Sequence, residues 1–523
     1  MKLKCLLFLI LLVSCERFIK KTDEKYHEVI DQKTNSDHLN IVFSHNINGE
    51  THPCGCRNFP LGGLPQVKGE LFDLNSKAPL LYIDSGDAFF PSTQVPKLLE
   101  QSQLFTAKKI AESFDINGLE IFTPGDQDFA YGIDWLGKIS KEHKFKFLLS
   151  NIIKNDKINS KPYIVKKFAN KTFVFLGIVN PSLLQPNVQG YFKSPISGIN
   201  ETLSLVKKRF KDLSKVKLIL LSHSGMDFDK KLAEKVPVFD WIVGAHSQAF
   251  TQLSIDIGKT KIVQVLSRNH YLGKIKVPAG KVKDEFKVIE VRDELKEKQK
   301  NNPMITWLDK FKVQLDAIQL EEQKLMAGDT TMQPANTYQS CNECHQKQTE
   351  FWQTTSHSLA FITLDHAKAA NNPNCIGCHS LNYKKLNGFQ NIDTMVLSDK
   401  KLSKYWDEFK HTFKDIKSVR ALSKNQRKKY SKKYAKLDKK FKTKHNFANV
   451  QCLNCHDKSY DHPFEMDDVP KSTKNYQDKC LKCHTSDQSP EWYKKDDKGI
   501  ATSVDQAYVS GIIKKIACPK RQE

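Results

Sequence analysis

Four times in its second half the chain reads Cys-x-x-Cys-His: CNECH from residue 341, CIGCH from 375, CLNCH from 452 and CLKCH from 480. This spacing lets two thiols form thioethers with the vinyl groups of one haem while the adjacent histidine ligates its iron. Cys341, Cys344 and His345 form the first such set, and Cys375, Cys378 and His379 the second. Cys452, Cys455 and His456 form the third, and Cys480, Cys483 and His484 the fourth. The competing reading is a zinc ribbon built from Cys-x-x-Cys pairs. A zinc site does not need a histidine directly after every second cysteine, and here all four pairs have one. Four covalent haem c groups are therefore expected, in a mostly α domain packed around them.

The eight motif cysteines leave five of the chain's thirteen. Two lie in MKLKCLLFLILLVSC, where two lysines precede a short apolar run that ends at Cys15. The run is shorter than the ~20 apolar residues of a spanning helix and fits the core of a signal peptide. Its ending resembles a bacterial lipobox, which implies that Cys5 is discarded with residues 1–14 and that Cys15 is lipidated. An exported chain tethered to membrane lipid through Cys15, facing the periplasm or the cell surface, is the expectation. Cys518 reads as a lone thiol.

The 523 residues suffice for two or three cores, and a hydrophobic share of 39% is that of a globular protein. The formal net charge of +23 calls for anionic surroundings. Much of it lies in a very basic insert at 400–444, where Trp406, Phe409, Phe413 and Ile416 recur at helical spacing. One reading is a docking face for an acidic redox partner or for membrane headgroups. The other is a solvated face that balances the haem propionates. Charge alone would also suit a nucleic acid, but an exported lipoprotein is not expected to meet one.

Further histidines can fill the sixth position of each iron: His357, His366, His411, His445 and His462. The text around them, CNECHQKQTEFWQTTSHSLAFITL, NPNCIGCHS, NVQCLNCHDKSYDHP and CLKCHTSDQSPEW, resembles the tetrahaem cytochromes that carry electrons from hydroxylamine oxidation. That resemblance implies that His357 and His462 are distal ligands of neighbouring haems. His445 precedes the third motif at a suitable distance. His366 and His411 are weaker candidates, and one iron is left open if neither serves.

The first half has another character. From 39 to 277 short apolar runs such as IVFS, PLLYIDSGD, LEIFTPGD, FVFLGIV, LILLSHS and DWIVGAHS alternate with amphipathic segments. Strands alternating with helices indicate an α/β domain, and several strands end in Asp, His or Gly. The ordered set resembles the 5′-nucleotidase and UDP-sugar hydrolase branch of the calcineurin-like metallophosphoesterases, which implies an α/β sandwich. IDSGDAFFPS places Asp87 at the family's metal-bridging position. GDQDFAYG puts Asp126 where the family has Asn and Gln127 where it has a catalytic His. LLSHSGMDFD supplies His223, IVGAHSQ supplies His246 and Gln248, and GGLPQ at 62–66 matches the turn after the first metal loop.

The family's opening Asp-x-His-Gly aligns onto Asn46, Ile47, Asn48 and Gly49. The resemblance then implies one good cation site at Asp87, Asp126, His223 and His246. A second site would hold only Asn46, Asn48, Gln248 and the shared Asp87. Neutral amides are weak ligands, and Gln127 cannot act as an acid or base. Two-metal phosphoryl hydrolysis needs both ions, so ordinary nucleotidase turnover is not expected. Cys54 and Cys56 follow this loop as Cys-Gly-Cys and leave three readings open. They are thiolate ligands that restore the site, a redox pair serving the haems, or a local disulfide.

The expected organisation is a signal peptide at 1–14, a linker at 15–38 and a metallophosphoesterase-like domain at 39–292. A helical connector at 293–337, a tetrahaem domain at 338–500 and a tail at 501–523 follow. Two functions are compatible with it. One is a multihaem electron carrier whose first domain binds one or two divalent ions (Zn, Mn or Fe) and a substrate or partner. The other is a bifunctional hydrolase of phosphate or sulfur esters coupled to a haem wire, with an anionic small molecule as substrate.

Overall fold

The computed structural model describes residues 27–29, 36–53, 60–153, 156–326, 337–385, 388–398, 401–456, 476–496 and 501–519. Among these no helix is long and apolar enough to cross a membrane. One compact unit runs to Leu308 and a second begins at Asp309.

The first unit holds fourteen described strands. They are β1 (His27–Val29), β2 (His38–Ser44), β3 (Leu80–Asp84), β4 (Leu119–Phe122), β5 (Lys146–Leu148), β6 (Ser160–Lys161) and β7 (Tyr163–Phe168). The remainder are β8 (Lys171–Val179), β9 (Val216–His223), β10 (Trp241–Gly244), β11 (Ile255–Ile257), β12 (Thr260–Val263), β13 (Tyr271–Pro278) and β14 (Glu285–Glu290). They form two seven-stranded sheets, ordered β1-β7-β8-β9-β10-β12-β11 and β14-β13-β2-β3-β4-β5-β6.

Alternation along β2 explains the packing. Leu39, Ile41 and Phe43 join Leu81, Ile83 and Ile121 against Phe173, Phe175, Ile219, Leu221, Trp241 and Val243 of the other sheet. The intervening Val42 faces the opposite way, into a core with Phe114 and Leu136 from helices Glu100–Asn117 and Gly132–Glu142. Helices Pro195–Arg209 and Met226–Lys235 cover the outer face of the sheet that contains β8, β9 and β10 through Ile199, Leu203 and Leu232. The result is an α/β sandwich with helices on both outer faces. Because β2, β3 and β4 are mutually parallel, as are β8, β9 and β10, their carboxyl ends lie together within each sheet. That is where open α/β sheets place ligands.

The second unit is mostly helical. Each motif's first cysteine sits on a short helix: Tyr338–Cys344, Pro373–His379, Cys452–Cys455 and Tyr476–Leu481. The basic insert folds into helices Leu402–Phe413 and Lys424–Lys440. Tyr405, Phe409 and Phe413 pack with Tyr434 and Leu437 in one core with Phe361 and Phe389, so the insert's apolar face is interior. Ile416 is buried as well, but three residues past the helix end.

At the centre of this unit the carboxylate of Asp438, on the second insert helix, is 1% exposed. It accepts from Tyr338 Oη at 2.5 Å, Tyr405 Oη at 2.9 Å and Asn446 Nδ2 at 2.9 Å. Burial pushes the group up to about 6, against the pull of these donors. The network joins the segment just before Cys341 to the insert.

A capping box starts the second insert helix: Ser423 Oγ accepts from Gln426 N–H at 3.3 Å, and Gln426 Oε1 from Ser423 N–H at 2.8 Å. Ser423→Ala is expected to cost about 1 kcal/mol. Chemical denaturation followed by far-UV circular dichroism checks it.

Candidate metal centre and haem attachment segments

The end of β9 and the loops that leave β3, β4 and β10 bring His223, Asp87, Asp126 and His246 together, with one donor atom from each within 4.8 Å of the others. Asp87 and His223 are fully buried, Asp126 nearly so, and His246 is one-third exposed. His223 Nδ1 donates to the Ser85 carbonyl at 2.7 Å, which leaves Nε2 facing Asp126 Oδ1 at 3.0 Å and Asp87 Oδ2 at 3.2 Å. His246 Nδ1 lies 2.9 Å from the same Asp126 oxygen. An imidazole lone pair aimed at two buried carboxylate oxygens is tolerable only with a positive charge between them, either a proton or a metal ion.

Electrostatics agrees with that geometry. Burial works against a charged His223, yet Asp87 and Asp126 hold the imidazole well above its usual range. Burial likewise opposes the Asp126 charge, but His223 and His246 keep that carboxyl below the ordinary range. Asp84 and Asp229 stand behind the donors, and burial pushes each up to about 8. Negative charge thus settles on Asp126 rather than on these two. Among the described residues, Asp87 Oδ2 has no donor besides His223 Nε2 at 3.2 Å, as expected of an atom placed for a cation. A Cβ on Gly125 would lie 2.3 Å from both Asp87 Oδ1 and the His223 ring, so the cradle closes only around glycine. Two carboxylates and two imidazoles suit one divalent ion, which when bound supplies Lewis-acid polarisation of an oxygen ligand.

The amides behave differently from the four donors. Asn46 Oδ1 accepts from His246 N–H at 3.1 Å and stands 2.8 Å from His45 Nδ1. Asn48 Oδ1 and Gln127 Oε1 are buried without a hydrogen-bond partner, and Gln248 is exposed. Asn46, Asn48, Asp87, His246 and Gln248 all have positive φ, at 52°, 55°, 58°, 70° and 50°. Left-handed backbone at non-glycine residues is uncommon and clusters at functional sites.

Two positioning residues escaped the sequence reading. Asp128 accepts backbone N–H bonds from Asp87, Ala88, Phe89 and Gly125 at 2.8–2.9 Å, tying the β3 loop to the β4 loop. Its place as the last residue of the GDQD element was the available signal. His45, buried beside Asn46, is pushed down by burial to about 3 and stays neutral. Nothing in the sequence marks it except adjacency. Cys54 and Cys56 lie outside the described residues, as do Cys5, Cys15 and His462.

The eight motif cysteines all lie among the described residues of the second unit. Among the described residues no group of them meets the conditions of a metal cluster, as a zinc ribbon would require. His379 Nδ1 donates to the Ala360 carbonyl at 2.6 Å, which keeps Nε2 for a metal. His484 Nδ1 lies 2.7 Å from Ser489 Oγ, and its ring stacks on Trp492 at 4.2 Å. His357 approaches the His484 ring to 6.4 Å. His445 stacks on Phe447 at 5.9 Å, whereas His366 and His411 are exposed. Cys518 is exposed too.

The profile of the cytochrome c554 and c-prime family matches residues 340–401. Over 246 residues the chain is 24% identical to the 5′-nucleotidase of Bos taurus, covering 42% of this chain and 41% of that protein. It is 25% identical over 249 residues to the human enzyme, with the same coverage. The chain thus spans about two-fifths of the length of the curated relatives it matches. The solved 5′-nucleotidase precursor of Thermus thermophilus aligns at 15% identity and a TM-score of 0.45, covering 63% of this chain and 68% of that one.

Proposed function

We propose that this fusion of a 5′-nucleotidase-like metallophosphoesterase region with a cytochrome c region is an exported, lipid-anchored multihaem electron carrier. The observation that carries the reading is His379, whose Nδ1–H is tied to the Ala360 carbonyl within the second Cys-x-x-Cys-His sequence. Metal-bound histidines are oriented by such a bond on the far nitrogen. Haem attached through Cys341 and Cys344, Cys375 and Cys378, Cys452 and Cys455, and Cys480 and Cys483 supplies one-electron iron chemistry. His345, His379, His456 and His484 are the proximal ligands, with His357, His445 and His462 as distal candidates. The leader ending at Cys15 supports export and the membrane anchor.

The first unit binds a divalent cation, and through it an anionic substrate or partner, without turning it over. Gln127 offers no proton where the chemistry of a leaving oxygen needs one. Helix Lys424–Lys440 exposes Lys429, Lys432, Lys433 and Lys436 along one face, which suits an acidic redox protein.

The test is the full chain matured in a host that attaches c-type haem. Intact mass and the pyridine haemochrome spectrum are expected to show four haems per chain. Stopped-flow reduction is expected to proceed equally in wild type and Asp87→Ala. A chain that carries zinc in place of haem would overturn the reading, and so would reduction that collapses in Asp87→Ala.

A further inference from the structure

We infer that the metal centre takes one divalent cation, and that His45 and Asn46 are a strap that positions His246. The inference rests on reading the Asp87, Asp126, His223 and His246 cluster as a metal centre, and adds its stoichiometry and its support.

The strap is fixed from the main chain inward. Val265 N–H donates to His45 Nε2 at 2.9 Å, so the ring hydrogen of this neutral imidazole sits on Nδ1. That hydrogen points to Asn46 Oδ1 at 2.8 Å, and the same oxygen accepts the His246 N–H at 3.1 Å. Asn46 Nδ2 in turn faces the His246 carbonyl at 3.4 Å. A carboxamide oxygen has two lone pairs, and both are engaged. Asn46 therefore grips both backbone polar groups of a residue held at φ 70°, whose side chain meets Asp126. Left-handed backbone at a residue with a Cβ is strained, and the grip offsets that strain.

With Asn46 engaged, the position for a second ion keeps, among the described residues, only Asp87, which it would share, the Asn48 amide and the exposed Gln248. Neutral amides are weak ligands beside a carboxylate or an imidazole, so the described residues furnish one cation site and not two. The orphaned oxygens of Asn48 and Gln127 are hydrogen-bond acceptors, suited to an O–H or N–H donor.

The test uses the full haem-loaded chain and Mn2+, whose count haem iron does not disturb. Equilibrium dialysis is expected to give one Mn2+ per chain, with an electron paramagnetic resonance spectrum of a single uncoupled ion. Two Mn2+ per chain, or an exchange-coupled spectrum, would overturn the inference while leaving the metal centre standing. Binding of none would remove both. Asn46→Ala and His45→Ala are each expected to weaken Mn2+ binding about 10–100-fold and to alter the Mn2+ spectrum, as loss of an outer partner does. His45→Gln keeps an N–H donor toward Asn46 and is expected to restore much of the affinity and the wild-type spectrum. It also stands in if His45→Ala does not fold. Wild-type affinity in a folded His45→Ala protein, or no recovery in His45→Gln, would count against the strap.

Discussion

His223→Ala is expected to abolish Mn2+ binding at the first unit while leaving the haem spectrum and its reduction rate as in wild type. The imidazole faces both carboxylates, with Nε2 at 3.0 Å from Asp126 and 3.2 Å from Asp87. The Ser85 carbonyl holds it in the tautomer that presents a lone pair. Its loss removes a direct ligand and leaves two carboxylates facing each other across a buried space with only His246 as counterpart. The affinity loss should therefore exceed the about 10–100-fold typical of outer partners. Mn2+ titration by electron paramagnetic resonance measures it. An affinity within tenfold of wild type would show that the ion sits elsewhere.

A second large effect is expected from Asp438 as pH rises. Burial lifts this carboxyl from 3.8 to about 6 in the folded chain, so the fold binds a proton that the unfolded chain releases. The stability it contributes is fully present below pH 3.8 and is lost as pH rises through about 6. A shift of roughly two units corresponds to about 3 kcal/mol. Between about pH 4 and pH 7 the second unit should lose about 3 kcal/mol relative to Asp438→Asn, which cannot titrate. Denaturant midpoints of the two proteins across that range provide the comparison. Parallel pH profiles would mean that Tyr338, Tyr405 and Asn446 keep the carboxylate ionised.

The parts of this architecture that are legible in the sequence are those written in contiguous residues. Each haem pentapeptide is complete in itself. The four side chains that the fold gathers, Asp87, Asp126, His223 and His246, stand at or just past strand ends, where LYID, LEIF, VKLILLSH and WIVG give way to polar loops. The spacing of Trp406, Phe409 and Phe413 marks an insert helix with a buried face. What stayed hidden is pairing at long range. Asn46 resembles a ligand in alignment, and its grip on His246 depends on a partner 200 residues away. Asp128 looks like one more loop acid until its four backbone donors are seen. Asp438 lies in a run of lysines, and only the fold shows that Tyr338, 100 residues earlier, donates to it.

The left-handed backbone at Asn46, Asn48, Asp87, His246 and Gln248 has a consequence for the residue alphabet of this pocket. Asparagine and aspartate enter that conformation with less difficulty than most side chains, because short polar groups can hydrogen-bond locally there. An exchange between Asp and Asn at 46 therefore changes charge, and one between His and Asn at 48 changes the donor, without a change in the path of the chain. An Ala or Val exchange would change both. The loop can thus keep its contour while its charge and its donors change. Shape and chemistry vary independently at these positions, so the outline of the pocket does not report what it binds.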